Sequence, residues 1–132
     1  MYVVINGGGK VGSYLARTLL ENGHEVAVIE KRQEVARKLA VELPDEALVI
    51  VGDGCDVRYQ EDAGVAHADV FTAATGDDDD NLVACQLANV AFGVPRSVAR
   101  VNSPRNERIF NELGIEAISS TSIIARIIEE EA

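Results

Sequence analysis

Six consecutive residues near the N-terminus have the types and spacing of a phosphate cradle. Gly7-Gly8-Gly9-Lys10-Val11-Gly12 spells G-x-G-x-x-G, with Gly7, Gly9 and Gly12 at the key positions. Between a strand and a helix, the first glycine permits a tight turn and the second lets a pyrophosphate approach the backbone. The third lets the helix pack closely on the sheet. The free N–H groups of the helix start then face the anion. Glu30 stands 18 residues after Gly12, at the end of the second apolar run. A carboxylate there can accept hydrogen bonds from both ribose hydroxyls of an adenosine. It would repel a 2′-phosphate, which disfavours NADP, although Lys31 and Arg32 follow at once and soften that argument. The plainer alternatives are a glycine-rich turn and a surface charge at a strand end.

Ligands of open α/β sheets sit outside the carboxyl ends of the strands, so the other strand ends matter too. Gly52-Asp53-Gly54-Cys55 follows the third apolar run and Thr75-Gly76-Asp77 the fourth, and Arg100 lies at the end of the fifth. Asp53 could accept the adenine amino group. Thr75 and Gly76 could line the crevice beside the pyrophosphate or the second nucleoside. Lys10 and Arg100 read as the strongly cationic candidates near the phosphates. Each of these reads equally well as a loop residue or a helix cap.

Alternating strands and helices must position these residues. The expected strands are Tyr2–Asn6, Val26–Glu30, Ala47–Val51, Asp69–Ala74, Ser97–Val101 and Glu116–Ser119. The expected helices are Val11–Asn22, Gln33–Glu42, Asp56–Ala63, Asp78–Phe92, Pro104–Leu113 and Ser122–Glu131. Continuous apolar strands need cover on both faces, which marks a parallel sheet. Six β-α units predict an α/β, doubly wound, Rossmann-like fold: a six-stranded parallel sheet in the order 3-2-1-4-5-6 with helices on both faces. The acidic run Asp77–Asp80 opens a helix, where the macrodipole favours carboxylates; a cation site is the alternative.

The chain's 132 residues suffice for one domain, read as 1–132. It is 47% apolar and 26% charged, the composition of a globular domain rather than a disordered one. Twelve basic against 22 acidic residues give a net charge of −10, which speaks against a nucleic-acid partner. No run reaches 18 apolar residues, and the N-terminus does not resemble a signal peptide. Cytoplasmic localisation is therefore expected. Cys55 and Cys85 read as small buried hydrophobes. His24 and His67 read as solvated loop residues at the wrong end of the strands for catalysis, and no Tyr-x-x-x-Lys pair or metal-ligand spacing occurs. A non-catalytic reading is thus preferred over a small NAD-dependent oxidoreductase, or the cofactor domain of one.

Five motifs in order carry a family resemblance: Gly7–Gly12, the run ending at Glu30, Val51-Gly52-Asp53, Thr75-Gly76-Asp77-Asp78 with Asn81-Leu82, and Ala99-Arg100-Val101-Asn102. Together they resemble the N-terminal nucleotide-binding lobe of the RCK or KTN (TrkA-N) domain, the TrkA-type regulator of potassium transport. The resemblance implies a regulatory module that binds NAD or NADH, alternatively ATP or ADP. It would sit peripheral to the membrane through an integral-membrane potassium transporter or channel. It implies phosphates over Gly7, Gly8, Gly9, Lys10, Val11 and Gly12. Glu30 and Lys31 would then lie at the adenosine ribose, Asp53 and Gly54 beside the adenine, and Thr75, Gly76 and Arg100 along the rest. Three departures stand out: Lys10 where the family often has Arg, Glu30 where it often has Asp, and Gly54-Cys55 where it usually has Ala-Thr. The family's second, C-terminal lobe is expected to be absent. Ile123, Ile124, Ile127 and Ile128 form a stripe on the last helix that needs cover. Either the sheet edge supplies it, or a homodimer or larger ring assembly does, as the resemblance implies.

Overall fold

The central strands are rich in β-branched and small residues because both of their faces are buried, whereas the edge strands are partly exposed. In the computed structural model, which describes residues 1–131, the strands are β1 (Tyr2–Asn6), β2 (Glu25–Glu30), β3 (Leu48–Val51), β4 (Val70–Ala73), β5 (Arg96–Arg100) and β6 (Glu116–Ile118). Every pairing is parallel, and the order is β3-β2-β1-β4-β5-β6, as expected. The helices are α1 (Lys10–Glu21), α2 (Gln33–Glu42), α3 (Val57–Asp62), α4 (Asp78–Phe92), α5 (Glu107–Glu112) and α6 (Ser120–Glu131). Alternate residues point to opposite faces. Val3, Ile5, Val26 and Val28 join Ala16 of α1 and Leu39 of α2 on one side. Val4, Ala27, Ile29 and Phe71 join Ala84 and Ala88 of α4 and Phe110 of α5 on the other.

The departures from expectation are local. The helix expected at Pro104 begins as a 3-10 turn, Pro104–Asn106, before α5 takes over. A further 3-10 turn, Val65–His67, follows the left-handed Gly64. β5 starts at Arg96, whose guanidinium forks onto Glu116 of β6 at 2.6 and 2.8 Å. α6 starts earlier than expected because the Ser119 hydroxyl accepts the Ser122 N–H. Residue 132, the last of the expected domain, lies outside the described residues.

The sheet runs unbroken through β1 and β4, the point where the strand order reverses direction, and polar clamps hold the loops beyond these strand ends. Asp78 is the densest. Its carboxylate accepts from Asn102 N (2.6 Å) and Nδ2 (3.0 Å), Ser103 N (3.0 Å) and Asn106 Nδ2 (2.8 Å). It thereby ties the start of α4 to the connection between β5 and α5. Fully buried Asn81 donates to the carbonyls of Thr75 and Arg100 at 3.0 and 2.9 Å and accepts from Thr75 N and Oγ1 at 3.1 and 2.6 Å. The ends of β4 and β5 are thus fixed by one side chain.

Burial pushes the Asp78 carboxyl up. The hydrogen bonds from Asn102, Asn106 and Ser103 outweigh that, so it titrates below the usual carboxylate range. A depressed folded value means that the unfolded chain binds the extra proton. The stabilisation is therefore complete above an ordinary carboxyl pKa of about 4 and is lost as the pH falls through the folded value. Urea unfolding between pH 7 and pH 3 should show the wild type losing stability below about pH 4. Asp78→Asn should be weaker by about 1 kcal/mol or more at pH 7, with a shallower acid slope. An unchanged acid slope in the variant would refute this role.

Candidate functional site

Gly7 leaves β1 with φ +110°, a conformation that suits glycine. Its N–H bonds the Ile29 carbonyl at 2.8 Å, extending the ladder one step past the strand. The chain then turns so sharply that a Cβ on Gly12 would lie 1.7 Å from the Gly7 carbonyl oxygen. No side chain fits there, so α1 starts directly above the end of β1. Gly9 is the N-cap of α1 and makes no side-chain capping bond, and no acidic residue lies in the first turn. The positive end of α1 therefore has no partner of its own and faces the crevice.

Glu30 ends β2 with 3% of its surface exposed. Its Oε1 accepts the Gly8 N–H at 2.8 Å and Arg32 Nη2 at 3.1 Å. Its Oε2 accepts Arg32 N at 2.8 Å and Arg32 Nε at 3.0 Å. Burial pushes this carboxyl up, but the bonds from Arg32 and Gly8 prevail and hold it below its ordinary range. The group is an anion that grips the glycine loop. Spacing alone did not single out Arg32 as a site residue. The signal was its place two residues past a buried carboxylate, where a backbone N–H and a guanidinium can reach the same group.

One open cavity of about 540 Å³ covers the carboxyl ends of β1, β2, β3 and β4. Of the residues singled out from sequence, Gly7, Gly9, Lys10, Val11, Glu30, Lys31, Asp53, Gly54, Thr75, Gly76 and Arg100 line it. Gly8 and Gly12 lie beneath the loop and shape it. Gly54 is required by Asn6: a Cβ there would stand 2.1 Å from Asn6 Oδ1. Lys10 and Arg100 are not the only cations, because Lys31 and Arg32 line the same cavity. Lys31 Nζ lies 3.6 Å from Asp80 Oδ2 across the mouth. Among the described residues, neither Lys10 nor Arg100 is in an ion pair.

Some expectations change. Cys55 is only partly buried: it packs against the core and also lines the cavity wall. Burial, with Asp53 and Asp80 nearby, pushes its thiol up to about 11, so it is neutral. The Asp53 carboxylate accepts the Cys55 N–H at 2.9 Å, which orients it inside its own loop. Asp77 caps α4 by accepting from Asp79 N at 2.9 Å and Asp80 N at 3.3 Å, which favours the helix-start reading of the acidic run. His24 sits 3.1 Å from the terminal amine, and neither histidine lines the cavity. No cluster of three metal-ligating side chains occurs among the described residues. No helix among them is long and apolar enough to cross a membrane.

The TrkA-N domain family matches residues 3–121. A Trk system potassium uptake protein TrkA homolog of Methanothermobacter thermautotrophicus is 45% identical over 120 residues, covering 91% of this chain and 54% of the relative. The Trk system potassium uptake protein TrkA of Mycobacterium tuberculosis is 42% identical over 132 residues, covering 98% and 59%. The chain thus spans little more than half the length of these curated relatives. Among solved structures, the TrkA-N domain of the Escherichia coli inner membrane protein ybaL superposes with a TM-score of 0.86 at 18% identity, covering 98% of this chain and 94% of that one. The GsuK channel bound to NAD superposes with a TM-score of 0.77 at 20% identity, covering 89% and 21%. At such identities the structural likeness speaks for the fold; the sequence matches carry the family. With its order of strands, its glycine loop and its acidic residue at the end of β2, the chain belongs to the TrkA-N domain family.

Proposed function

We propose that this chain is a non-catalytic, nucleotide-binding regulatory domain of a potassium transport system, switched by an adenine nucleotide. The observation that carries the reading is the convergence of an uncapped α1 N-terminus and a buried Glu30 carboxylate on one cavity at the point where the strand order reverses. The helix start suits a phosphate and the carboxylate suits a ribose diol. Asp53 and Gly54 then flank the adenine, with Thr75, Gly76 and Arg100 beside the remaining phosphate or second nucleoside. The names of the TrkA relatives support the transport role, and the NAD in the GsuK channel supports a dinucleotide ligand, with ATP or ADP the alternative. An enzyme would need a proton donor or acceptor within reach of a substrate. Both histidines lie away from the cavity and the cavity's one thiol is neutral, which favours binding over catalysis.

The switch would be a rigid-body movement of domains, driven by differential affinity for nucleotides. It needs a partner surface, and α6 offers one. Ile124, Ile127 and Ile128 are 57%, 53% and 64% exposed, and within the stripe only Ile123 is half-buried. The stripe would pack across a two-fold axis in a homodimer or a larger ring, an isologous contact. Such an assembly would sit in the cytoplasm beneath the membrane-embedded transporter or channel.

Four experiments test this reading. In calorimetric titrations with NAD, NADH, ATP, ADP and AMP, at least one should bind saturably, and NADH should not be consumed in the presence of carbonyl compounds. Glu30→Ala should weaken binding about tenfold or more, since hydrogen bonds to a charged group are worth roughly 1.5–3 kcal/mol; equal affinity would discard the ribose role. A Gly9 Cβ would meet only Arg32 Nη2, at 3.5 Å, and the backbone there is extended. Gly9→Val should therefore fold yet lose binding, and retained binding would sink the phosphate-loop assignment. Light scattering at tens of micromolar should show a dimer that Ile124→Asp/Ile128→Asp splits; a monomeric wild type would remove the α6 interface.

A further inference from the structure

Glu30 is saturated. A carboxylate has about four acceptor positions, and Gly8 N, Arg32 N, Arg32 Nε and Arg32 Nη2 fill them. The two backbone donors are set by the fold. The two guanidinium donors are not, because the Arg32 side chain is 54% exposed at the cavity rim. Withdrawing the guanidinium frees one acceptor position on each carboxylate oxygen. That is the number and arrangement a vicinal diol needs.

We propose that Arg32 is a built-in competitor for the ribose seat, a specificity-determining residue whose guanidinium stands in for the cis-diol and must leave Glu30 before a nucleoside docks. The proposal rests on the nucleotide reading above. It also states which ligands overcome the competitor. Arg32 Nη2 stands 3.5 Å from the Cβ position of Gly9, beside the phosphate loop. Once displaced, the fork meets a phosphate at that loop and exchanges one bidentate anion for another. A bare nucleoside offers no such exchange. The site therefore penalises adenosine and spares phosphorylated adenine nucleotides.

The test is calorimetric titration of the full chain with adenosine, 2′-deoxyadenosine and ADP. Wild type, Arg32→Ala and Arg32→Lys are compared, with circular dichroism to check that each is folded. Arg32→Ala should bind adenosine roughly two- to tenfold tighter, the range expected for removing a half-exposed charged pair. 2′-Deoxyadenosine, which lacks half the diol, should gain less. ADP should bind no tighter than to wild type, so its advantage over adenosine shrinks. Arg32→Lys, a point charge without a fork, should fall between. Unchanged or weaker adenosine binding by folded Arg32→Ala, with ADP still bound by wild type in a Glu30-dependent way, overturns the competitor alone. Absence of ADP binding by wild type overturns the nucleotide reading and the competitor with it.

Discussion

The Gly7 carbonyl occupies the space where a Cβ of residue 12 would be. This contact sets the distance between β1 and α1, and the site depends on that distance. Because α1 lies so close, its first turn begins above the central strand β1, beside which the strand order reverses at β4. The N-terminus of a helix carries about half a positive charge. It has no capping side chain of its own here. A Cβ at position 12 would push the helix away and take that charge from the crevice. In a chain with a net charge of −10, a fixed backbone dipole places positive potential at one point without altering the overall field.

The second dependence is electrostatic. A carboxylate as buried as Glu30 is costly unless every oxygen is paired. The Gly8 N–H and Arg32 meet that demand and pull the glycine loop and the start of α2 onto the end of β2. One anion thus does two jobs: it holds the phosphate loop in shape, and it presents an acceptor to the cavity. The Arg32 guanidinium holds the lone pairs that a diol would need, which makes this exposed side chain the point of exchange in the proposed site.

The far wall of the crevice is held by different means. Asn81 and Asp78 fasten the ends of β4 and β5 and the following turn with charge-assisted and amide hydrogen bonds. Asn106 of that turn is bound to Asp78, and Glu107, the next residue, meets the Ser122 hydroxyl of α6. A contiguous set of polar contacts therefore runs from Thr75 at the cavity to the helix with the exposed isoleucines.

The sheet, its order and the glycine loop were legible in the chain itself. Apolar runs of strand length, several of them closed by Gly, leave few ways to pair, and G-x-G-x-x-G places its glycines where local backbone geometry demands them. Local demands of this kind are written in adjacent residues. The partners of Glu30 depended on how a loop and a helix start meet in space. Arg32 therefore read as a nearby charge until the fold put its guanidinium on both carboxylate oxygens. The same holds for Gly54, whose missing side chain makes room for Asn6, 48 positions earlier, and for Cys55, which packs against the core and also lines the cavity. Periodicity reports which face of an element is apolar, whereas the occupant of a given lone pair is decided by contacts between distant segments. Only the tertiary structure supplies those.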